Sequence, residues 1–386
     1  MSVKRENVIE RSPSRKPSFL ENIKPFTRLH GGDQTTSSVE KLPLIKSPTG
    51  PTQSNFFRNS LRKSSRPGSI EELKKEDPSP NKPQQLTPRS SCSSLNNINA
   101  VTRVAFKSRV GSVRARPKVH NQDSFIIKPS LKGIKGHYMF AVCDGHGTYG
   151  HDVSQYVRDF FPGFLEECLD KDLSPLTIEK SFYQAVTKLN KGLIETGIEI
   201  AFSGTTMNCL VLFGSLCACA NVGDSRSVLG RNLRGRWEAI SLSEDHNTKR
   251  SDERTRILSS KGRIGQAVDE DGNFNGPERV WLIDEDIPGL AMTRSIGDKI
   301  SKIVGVTSDP EVVIRRLNSD DKFIIIASDG VWEHVNSDEA VQIVCSYYQD
   351  NRFEDAAVAL ACEAAKRWDK NEYVDDITVV VIFLSI

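Results

Sequence analysis

Two apolar runs in this chain each end in an Asp-Gly pair. Residues 138–143 lead directly into Asp144-Gly145-His146-Gly147, and residues 323–327 lead into Ser328-Asp329-Gly330. A third aspartate, Asp375, stands just before the last apolar run of the chain. A carboxylate at the end of a buried strand is costly unless something neutralises it. Three such carboxylates brought together would repel one another, and a hard divalent cation would relieve the repulsion. Oxygen ligands of this kind favour Mg²⁺ or Mn²⁺ over zinc.

The rest of the body alternates between strand-like and helix-like segments. Two apolar runs, 209–213 and 217–222, are separated by a short turn, which favours antiparallel pairing. Asn336 and Glu339 have the spacing of a helix capping box. A segment rich in Gly, Asp, Glu and Pro, 266–289, predicts an exposed loop that forms a flap. The predicted class is therefore α+β, with helices covering antiparallel sheets. The predicted strands are 138–143, 209–213, 217–222, 323–327 and 377–383, and the predicted helices are 150–168, 177–196, 337–348 and 353–368.

Residues 1–100 differ sharply in composition from the rest. They contain 11 of the 18 prolines, 17 serines, and 17 Lys and Arg against 9 Asp and Glu, whereas the remainder holds 35 basic and 41 acidic residues. Such a segment cannot bury enough apolar surface to offset the entropy lost on ordering. We therefore expect a disordered, basic, Ser/Pro-rich arm over residues 1–100 and a folded catalytic domain over residues 103–386.

Several classes of protein are disfavoured by the same sequence. It has neither an apolar leader nor a stretch of the roughly 20 apolar residues that a membrane span requires. We expect no membrane association and a location in the cytoplasm, the nucleus or both. Its eight cysteines lack Cys-x-x-Cys spacing, which indicates buried thiols in a reducing compartment. The arm mixes its basic residues with Ser and Pro rather than with aromatic residues, and the body is acidic, so nucleic acid is not an expected partner.

The body carries many motifs in one order, and in that order they resemble the metal-dependent protein Ser/Thr phosphatase family, type 2C, over roughly residues 103–386. The resemblance implies a β-sandwich of two antiparallel sheets flanked by helices, with a two-metal site at one end. It also implies hydrolysis of phosphoserine and phosphothreonine on proteins by a water that two Mg²⁺ or Mn²⁺ ions activate. The motifs are Asn121-Gln122-Asp123-Ser124-Phe125, Asp144-Gly145-His146-Gly147, Ser203-Gly204-Thr205-Thr206, Asn221-Val222-Gly223-Asp224-Ser225-Arg226, Asp245-His246, Gly262-Arg263-Ile264, Leu290-Ala291-Met292-Thr293-Arg294-Ser295-Ile296-Gly297-Asp298, Ser328-Asp329-Gly330-Val331-Trp332 and Asp375-Asp376-Ile377-Thr378.

The resemblance also assigns roles to the acidic residues. Asp144 would bridge the two metals, and the carbonyl of Gly145 would supply a further ligand. Asp329 and Asp375 would hold the first metal. Asp224 would share a third, weaker metal with Asp329. The alternative is that Asp224 is only a turn aspartate, because Gly223-Asp224 lies between an apolar strand and Ser225-Arg226.

Other assignments concern the phosphate and the metal-bound water. His146 resembles the family's proposed general acid, although a structural histidine is the plain alternative. Gln122 and Asp123 would complete the metal site, with Gln122 standing where the family often has glutamate. Lys118 stands where the family has a phosphate-clamping arginine, and a lysine lacks the bidentate grip of that arginine. Lys118 could also be simply solvated. Asp376 replaces the family's usual asparagine and adds charge beside Asp375.

Two further motifs have no predicted catalytic role. The small residues of Ser203-Gly204-Thr205-Thr206 predict close packing near the site. Arg294 and Asp298 are predicted to be structural residues, buried near the base of the flap.

The alternative function is a pseudophosphatase that binds phosphoproteins as a scaffold. We expect a monomer whose partners are phosphoprotein substrates and whose arm is modified by kinases, since Ser18 and Ser69 each lie three residues after an arginine.

Overall fold

The computed structural model describes residues 99–269, 272–369 and 372–386. The predicted disordered arm and its predicted kinase sites lie outside these residues, except for the last two arm positions. The described chain forms nineteen strands and six α-helices. The strands are β1 Val101–Arg109, β2 Ser112–Val113, β3 Arg116–Pro117, β4 Ser124–Lys128, β5 His137–Cys143, β6 Gly145–His146, β7 Gly204–Thr205, β8 Met207–Phe213, β9 Leu216–Val222, β10 Arg226–Leu233, β11 Arg236–Ser241, β12 Arg263–Val268, β13 Phe274–Trp281, β14 Pro288–Leu290, β15 Ile296–Gly297, β16 Glu311–Arg316, β17 Asp321–Ala327, β18 Tyr373–Val374 and β19 Ile377–Leu384. The helices are α1 Gly150–Cys168, α2 Pro175–Glu195, α3 Ser251–Ser259, α4 Asp329–Trp332, α5 Ser337–Gln349 and α6 Phe353–Arg367.

Two five-stranded antiparallel sheets form the centre of the domain. One has the strand order β1-β19-β17-β10-β11, and the other has the order β16-β9-β8-β5-β4. Side chains alternate along each strand, so each sheet has two apolar faces. In β5, for example, Phe140 and Val142 pack in the cluster between the sheets, while Met139 and Ala141 pack toward the helices. The predicted sandwich of two antiparallel sheets is confirmed.

Helices cover both outer faces of the sandwich. Helices α1 and α2 pack their apolar stripes against the sheet that contains β5. Phe161 of α1 and Phe182 of α2 are fully buried there. Helices α5 and α6 cover the β17 sheet, where α6 presents a stripe of alanines that allows close approach. The capping box at the start of α5 is confirmed, because Asn336 accepts from the backbone N–H of Glu339 and the Glu339 carboxylate accepts in return. In the described part of the chain, no helix is long and apolar enough to cross a bilayer.

The expectation of a loop over residues 266–289 is wrong. Strands β12, β13 and β14 pair there as a three-stranded antiparallel sheet. The segment has the polar composition typical of a loop because most of the hairpin is exposed to solvent. Phe274, for example, is 75% exposed. Strand propensity depends on the packing surroundings, and backbone pairing alone can hold an exposed hairpin.

A small sheet of three two-residue strands connects three of the motifs. Strand β7 lies between β6 and β15, with Thr205 opposite both Gly145 and Ile296, and Gly204 opposite both His146 and Gly297. This small sheet fixes the loop that follows β5.

Candidate active site

The topology brings the predicted acidic residues to one end of the sandwich. Strand β17 ends at Ala327, which pairs with Val379 near the start of β19 and with Arg226 at the start of β10. Because these strands are antiparallel, the end of one lies beside the beginning of the next. The segments carrying Asp329, Asp375 and Asp224 therefore meet at that end. In the other sheet, Ser124 at the start of β4 pairs with Cys143 at the end of β5, so the segments carrying Asp123 and Asp144 are adjacent.

The two threonines of the Ser-Gly-Thr-Thr motif hold the backbone of Asp144. The hydroxyl of Thr206 accepts from the Asp144 N–H at 2.9 Å. The Thr206 N–H and the Thr205 hydroxyl donate to the Asp144 carbonyl at 2.8 and 3.0 Å. Sequence reasoning assigned these residues only close packing. The structure shows that they fix the position of the first aspartate.

The carboxylates at this end destabilise one another's charged form. Burial is the largest cause for each of them, and it raises the pKa of Asp123 to about 8. Burial and the charge of Asp329 raise the pKa of Asp144 and of Asp224 well above the usual range. Burial and the charge of Asp375 raise the pKa of Asp329 to about 6. These aspartates thus form one electrostatically coupled group, which nearby positive charge would stabilise.

The donor chemistry of this group fits a hard divalent cation. The Oδ1 atoms of Asp123, Asp224 and Asp329 are buried and have no hydrogen-bond partner. Buried oxygens without partners are costly, and an ion such as Mg²⁺ or Mn²⁺ takes oxygens of this kind as ligands. Across residues 99–269, 272–369 and 372–386, however, no three His, Cys, Asp or Glu side chains are already arranged to hold a metal ion. The carboxylates share one end of the sandwich without forming a closed ligand cage.

Lys118 supplies positive charge to the group. Its ammonium lies 2.6 Å from Oδ1 of Asp375 and 3.6 Å from Oδ2 of Asp376, and it stands 4.7 Å from the centre of the Tyr373 ring. Burial opposes the charged form, but the Asp375 carboxylate outweighs it and raises the pKa of Lys118 above its usual range. The sequence did not predict this contact. Lys118 is largely buried and paired, so the alternative of a solvated lysine is wrong.

Asp376 and Gln122 hold the backbone around the site. The carboxylate of Asp376 accepts from the N–H of Gly111 at 2.6 Å and from the N–H of Gln122 at 2.9 Å. An asparagine would offer only one acceptor oxygen to these two donors. The side-chain amide of Gln122 donates to the carbonyl of Gly147 at 2.6 Å, which leaves its oxygen as the atom available to accept from a water.

Asp224 lies in a turn, and the sequence did not predict which residues hold that turn. Gly223 before it has a φ of 106°, a conformation that favours glycine. The N–H of Gly223 donates to Nδ1 of the fully buried His246, whose Nε2 lies 3.2 Å from the carboxylate of Glu311. The Asp245-His246 motif therefore positions the Asp224 turn, and Asp245 forms a bidentate ion pair with Arg226.

His146 lies beside the acidic group and contacts a buried carboxylate of its own. Its Nε2 is 2.6 Å from Oδ2 of Asp298, and its Nδ1 is buried without a hydrogen-bond partner. The prediction that Asp298 and Arg294 are structural and buried omits this contact. Arg294 does have a structural partner, the buried carboxylate of Glu253 at 2.8 Å.

Comparison with known proteins identifies the chain's relatives. Residues 112–372 match the family described as protein phosphatase 2C. The curated relative "Probable protein phosphatase 2C 35" of Arabidopsis thaliana is 33% identical over 282 residues, which cover 69% of this chain and 79% of the relative. "Probable protein phosphatase 2C 72" of the same plant is 35% identical over 289 residues, covering 72% of this chain and 86% of the relative.

Solved structures show the same fold. A serine-threonine phosphatase 2C from Toxoplasma gondii superposes with a TM-score of 0.63 at 22% identity, covering 74% of this chain and 97% of that one. A C. elegans sex determining protein superposes with a TM-score of 0.60 at 21% identity, covering 74% of this chain and 65% of that one. With the family match spanning most of the folded body, the chain belongs to the protein phosphatase 2C family, whose members are metal-dependent protein serine/threonine phosphatases.

Proposed function

We propose that this phosphatase hydrolyses phosphoserine and phosphothreonine on proteins at the acidic end of the sandwich, with two Mg²⁺ or Mn²⁺ ions. Asp144, the carbonyl of Gly145, Asp329 and Asp375 would hold them. The observation that carries the proposal is the group of buried, mutually repelling carboxylates, in which one oxygen each of Asp123, Asp224 and Asp329 lacks a hydrogen-bond partner. When bound, the ions would supply Lewis-acid activation of a water and neutralisation of phosphate charge.

The neighbouring residues would complete the site. Asp224 is the proposed ligand of a third, weaker ion, because its charge is coupled to that of Asp329. One carboxylate oxygen of Asp123 accepts from the hydroxyl of Ser328, and the other has no partner. The second oxygen would accept a hydrogen bond from a water bound to a metal ion. The oxygen of Gln122 has the same capability, although it adds no charge.

Lys118 and His146 would act on the substrate. The ammonium of Lys118 has three donors, and Asp375 takes one of them at 2.6 Å. A phosphate oxygen could take another, so Lys118 would contact the phosphate while remaining paired. His146 would protonate the serine or threonine oxygen as it leaves, because an alkoxide is a poor leaving group.

The direct test is phosphate release from a phosphothreonine peptide by the full chain. We expect turnover with Mn²⁺ and with Mg²⁺, no turnover with chelator, and collapse of turnover in Asp329→Asn. A matched control is Asp321→Asn, which changes a buried carboxylate paired with Arg231 at the opposite end of β17. Loss in the control equal to that in Asp329→Asn would indicate damage to the fold and would contradict the assignment of the site.

The pseudophosphatase is the second candidate, and two observations favour it. Lys118 already pairs with Asp375, and the described carboxylates form no closed ligand cage. A scaffold of this kind would bind phosphopeptide without turnover when metal is present. Calorimetric binding of the peptide together with the absence of phosphate release would establish it.

The sequence supports three further proposals about the whole protein. The chain is a monomer that acts on phosphoproteins in the cytoplasm, the nucleus or both, and kinases modify its arm at sites such as Ser18 and Ser69. Sedimentation of the purified chain tests the first. Phosphosite mapping of protein from its native cells tests the last, and a wholly unmodified arm would contradict it.

A further inference from the structure

His146 and Asp298 form a side-chain pair between residues 152 positions apart in the sequence. Nε2 of the imidazole lies 2.6 Å from Oδ2 of the carboxylate. Only 2% of the Asp298 side chain is exposed, against 22% for His146. Burial opposes the charge on Asp298, but the interaction with the His146 ring outweighs it and lowers the pKa of this carboxyl. A buried carboxylate therefore accepts a hydrogen bond from a partly exposed imidazole.

The small sheet of β6, β7 and β15 fits closely around this pair. A Cβ atom added to Gly204 would lie 2.0 Å from Oδ2 of Asp298. A Cβ atom added to Gly297 would lie 2.6 Å from the carbonyl oxygen of Ser203. Gly204 and Gly297 thus leave the space in which Asp298 reaches His146. A larger residue at either position would push β7 and β15 apart.

The backbone at Asp298 is held in a left-handed conformation, which is uncommon for any residue with a side chain, although aspartate tolerates it better than most. Its φ is 47°, in the left-handed region that non-glycine residues seldom adopt. Its N–H donates to the carbonyl of Ser203 at 3.0 Å, and its carbonyl accepts from the N–H of Lys302 at 3.2 Å. A residue in such a conformation persists only where its surroundings enforce it, and such residues concentrate at functional sites.

We propose that Asp298 is a positioning residue for His146, one that accepts the Nε2–H of the ring and so leaves Nδ1 as the nitrogen that exchanges a proton with the substrate. This inference rests on the proposed function. It follows from the contact, because Nε2 is engaged by Asp298 while Nδ1 has no hydrogen-bond partner. The motifs containing Gly204 and Asp298, which had no predicted chemical role, are then the support of a catalytic histidine.

The proton balance of the step is simple. As the bond from phosphorus to the serine or threonine oxygen breaks, the proton on Nδ1 of His146 passes to that oxygen, and the attacking water forms the new bond to phosphorus. The proton released by the water restores the ring. Throughout the step, Asp298 remains an acceptor for Nε2–H and balances the charge of the ring when both nitrogens carry protons.

The test compares two substrates that need a proton donor to different extents. The alkoxide of a phosphothreonine peptide requires protonation on leaving, whereas p-nitrophenolate leaves without it. General acid catalysis contributes about 10²- to 10⁴-fold. We expect Asp298→Asn in the full chain to lower kcat on the peptide about 10- to 100-fold, with KM and with kcat on p-nitrophenyl phosphate changed by less than about 3-fold.

A double-mutant cycle separates positioning from a structural role. If Asp298 acts through His146, Asp298→Asn will cause no further loss in a His146→Gln background, because the residue it positions is gone. Asp321→Asn again serves as the matched control, since it removes a buried charge far from His146. Equal losses on both substrates, or losses that multiply in the double variant, would overturn the proposal.

A nuclear magnetic resonance measurement needs no turnover. In protein with ¹⁵N-labelled histidine, the signal absent from His146→Gln identifies the ring, and we expect Nε2 to carry a proton whether or not Nδ1 carries one as well. Asp298→Asn should shift that signal or change its tautomer. An unchanged His146 signal would overturn the pairing. A wild-type chain that binds Mn²⁺, shows the paired ring and releases no phosphate would instead refute the proposed function alone.

Discussion

Lys118 and Asp375 form a short ion pair, with the ammonium nitrogen 2.6 Å from Oδ1 of the carboxylate. The same carboxylate is a proposed ligand of the first metal. A metal ion and Lys118 therefore both attract Asp375, and the lysine lowers the negative charge available to the metal. If Lys118 also contacts the phosphate, as proposed, this one side chain would couple metal affinity to substrate affinity.

Replacing Lys118 should separate these two effects. In Lys118→Met we expect Mn²⁺ to bind severalfold more tightly, because a competing positive charge is removed from Asp375. We expect kcat/KM on a phosphothreonine peptide to fall about 10- to 100-fold, since one charged contact to phosphate contributes about 1.5 to 3 kcal/mol. Calorimetric titration with metal and steady-state kinetics measure the two changes.

Lys188→Met is the matched control for this variant, because Lys188 pairs with Glu167 on an exposed helical surface. It should leave both quantities unchanged. Full catalytic efficiency in Lys118→Met would show that Lys118 does not contact the phosphate.

Metal should stabilise the fold by relieving repulsion among the carboxylates. In chelator we expect Asp329→Asn to melt at a higher temperature than the wild-type chain, because one repelling charge near Asp144 and Asp375 is gone. On addition of Mn²⁺ at about 100 times its Kd, the wild type should gain about 2.7 kcal/mol. The variant should gain much less. Thermal denaturation followed by circular dichroism gives both comparisons, and equal gains in the two proteins would contradict the role of Asp329.

The buried carboxylate of Glu253 should set part of the protein's acid sensitivity. Burial alone would raise its pKa, but hydrogen bonds from Arg256, Arg294 and Thr293 outweigh burial and hold the pKa well below its usual range. Its stabilising contribution is therefore complete above the usual glutamate pKa of about 4.3 and is lost as the pH falls below that value. We expect Glu253→Gln to lower the free energy of unfolding by about 3 kcal/mol at pH 7, and by a smaller amount at pH 3, because the contribution decreases progressively between the usual pKa and the lowered pKa of the folded protein.

Urea denaturation at both pH values measures this difference. The exposed pair of Asp355 and Arg352 provides the control, since such pairs contribute roughly 0 to 1 kcal/mol. Asp355→Asn should behave like the wild type at both pH values. A Glu253→Gln deficit that stayed constant between pH 7 and pH 3 would show that the lost charge is not its cause.

Two glycines should respond in opposite directions to the same substitution. Gly204→Ala places a methyl group against the Asp298 carboxylate, and overpacking of this kind costs about 1 to 3 kcal/mol. Gly163→Ala lies within α1, where an added Cβ meets nothing within 4 Å, and should stabilise the protein by about 0.5 to 1 kcal/mol. Thermal denaturation tests both, and phosphopeptide turnover should fall only in Gly204→Ala.

Much of the fold was predictable because its signals are local. The apolar runs of the sandwich, the stripes of α1 and α2, and the Asn336–Glu339 capping box each depend on residues a few positions apart, and the structure confirms them. The prediction for residues 266–289 was wrong because an exposed hairpin needs no apolar alternation. The metal and catalytic roles remain proposals, as do those of the arm.

The sequence by itself predicted antiparallel sheets covered by helices and aspartates at strand ends, because apolar runs and turns are local signals. The order of its motifs indicated the family, and the sandwich of two sheets followed from that resemblance. Only the tertiary structure decided which carboxylates the side chains of Lys118 and His146 contact. Asp375 pairs with Lys118 across 257 positions, and Asp298 pairs with His146 across 152. Such contacts depend on how the sheets, the small strands β6, β7 and β15, and their loops pack together, and no local spacing encodes that packing.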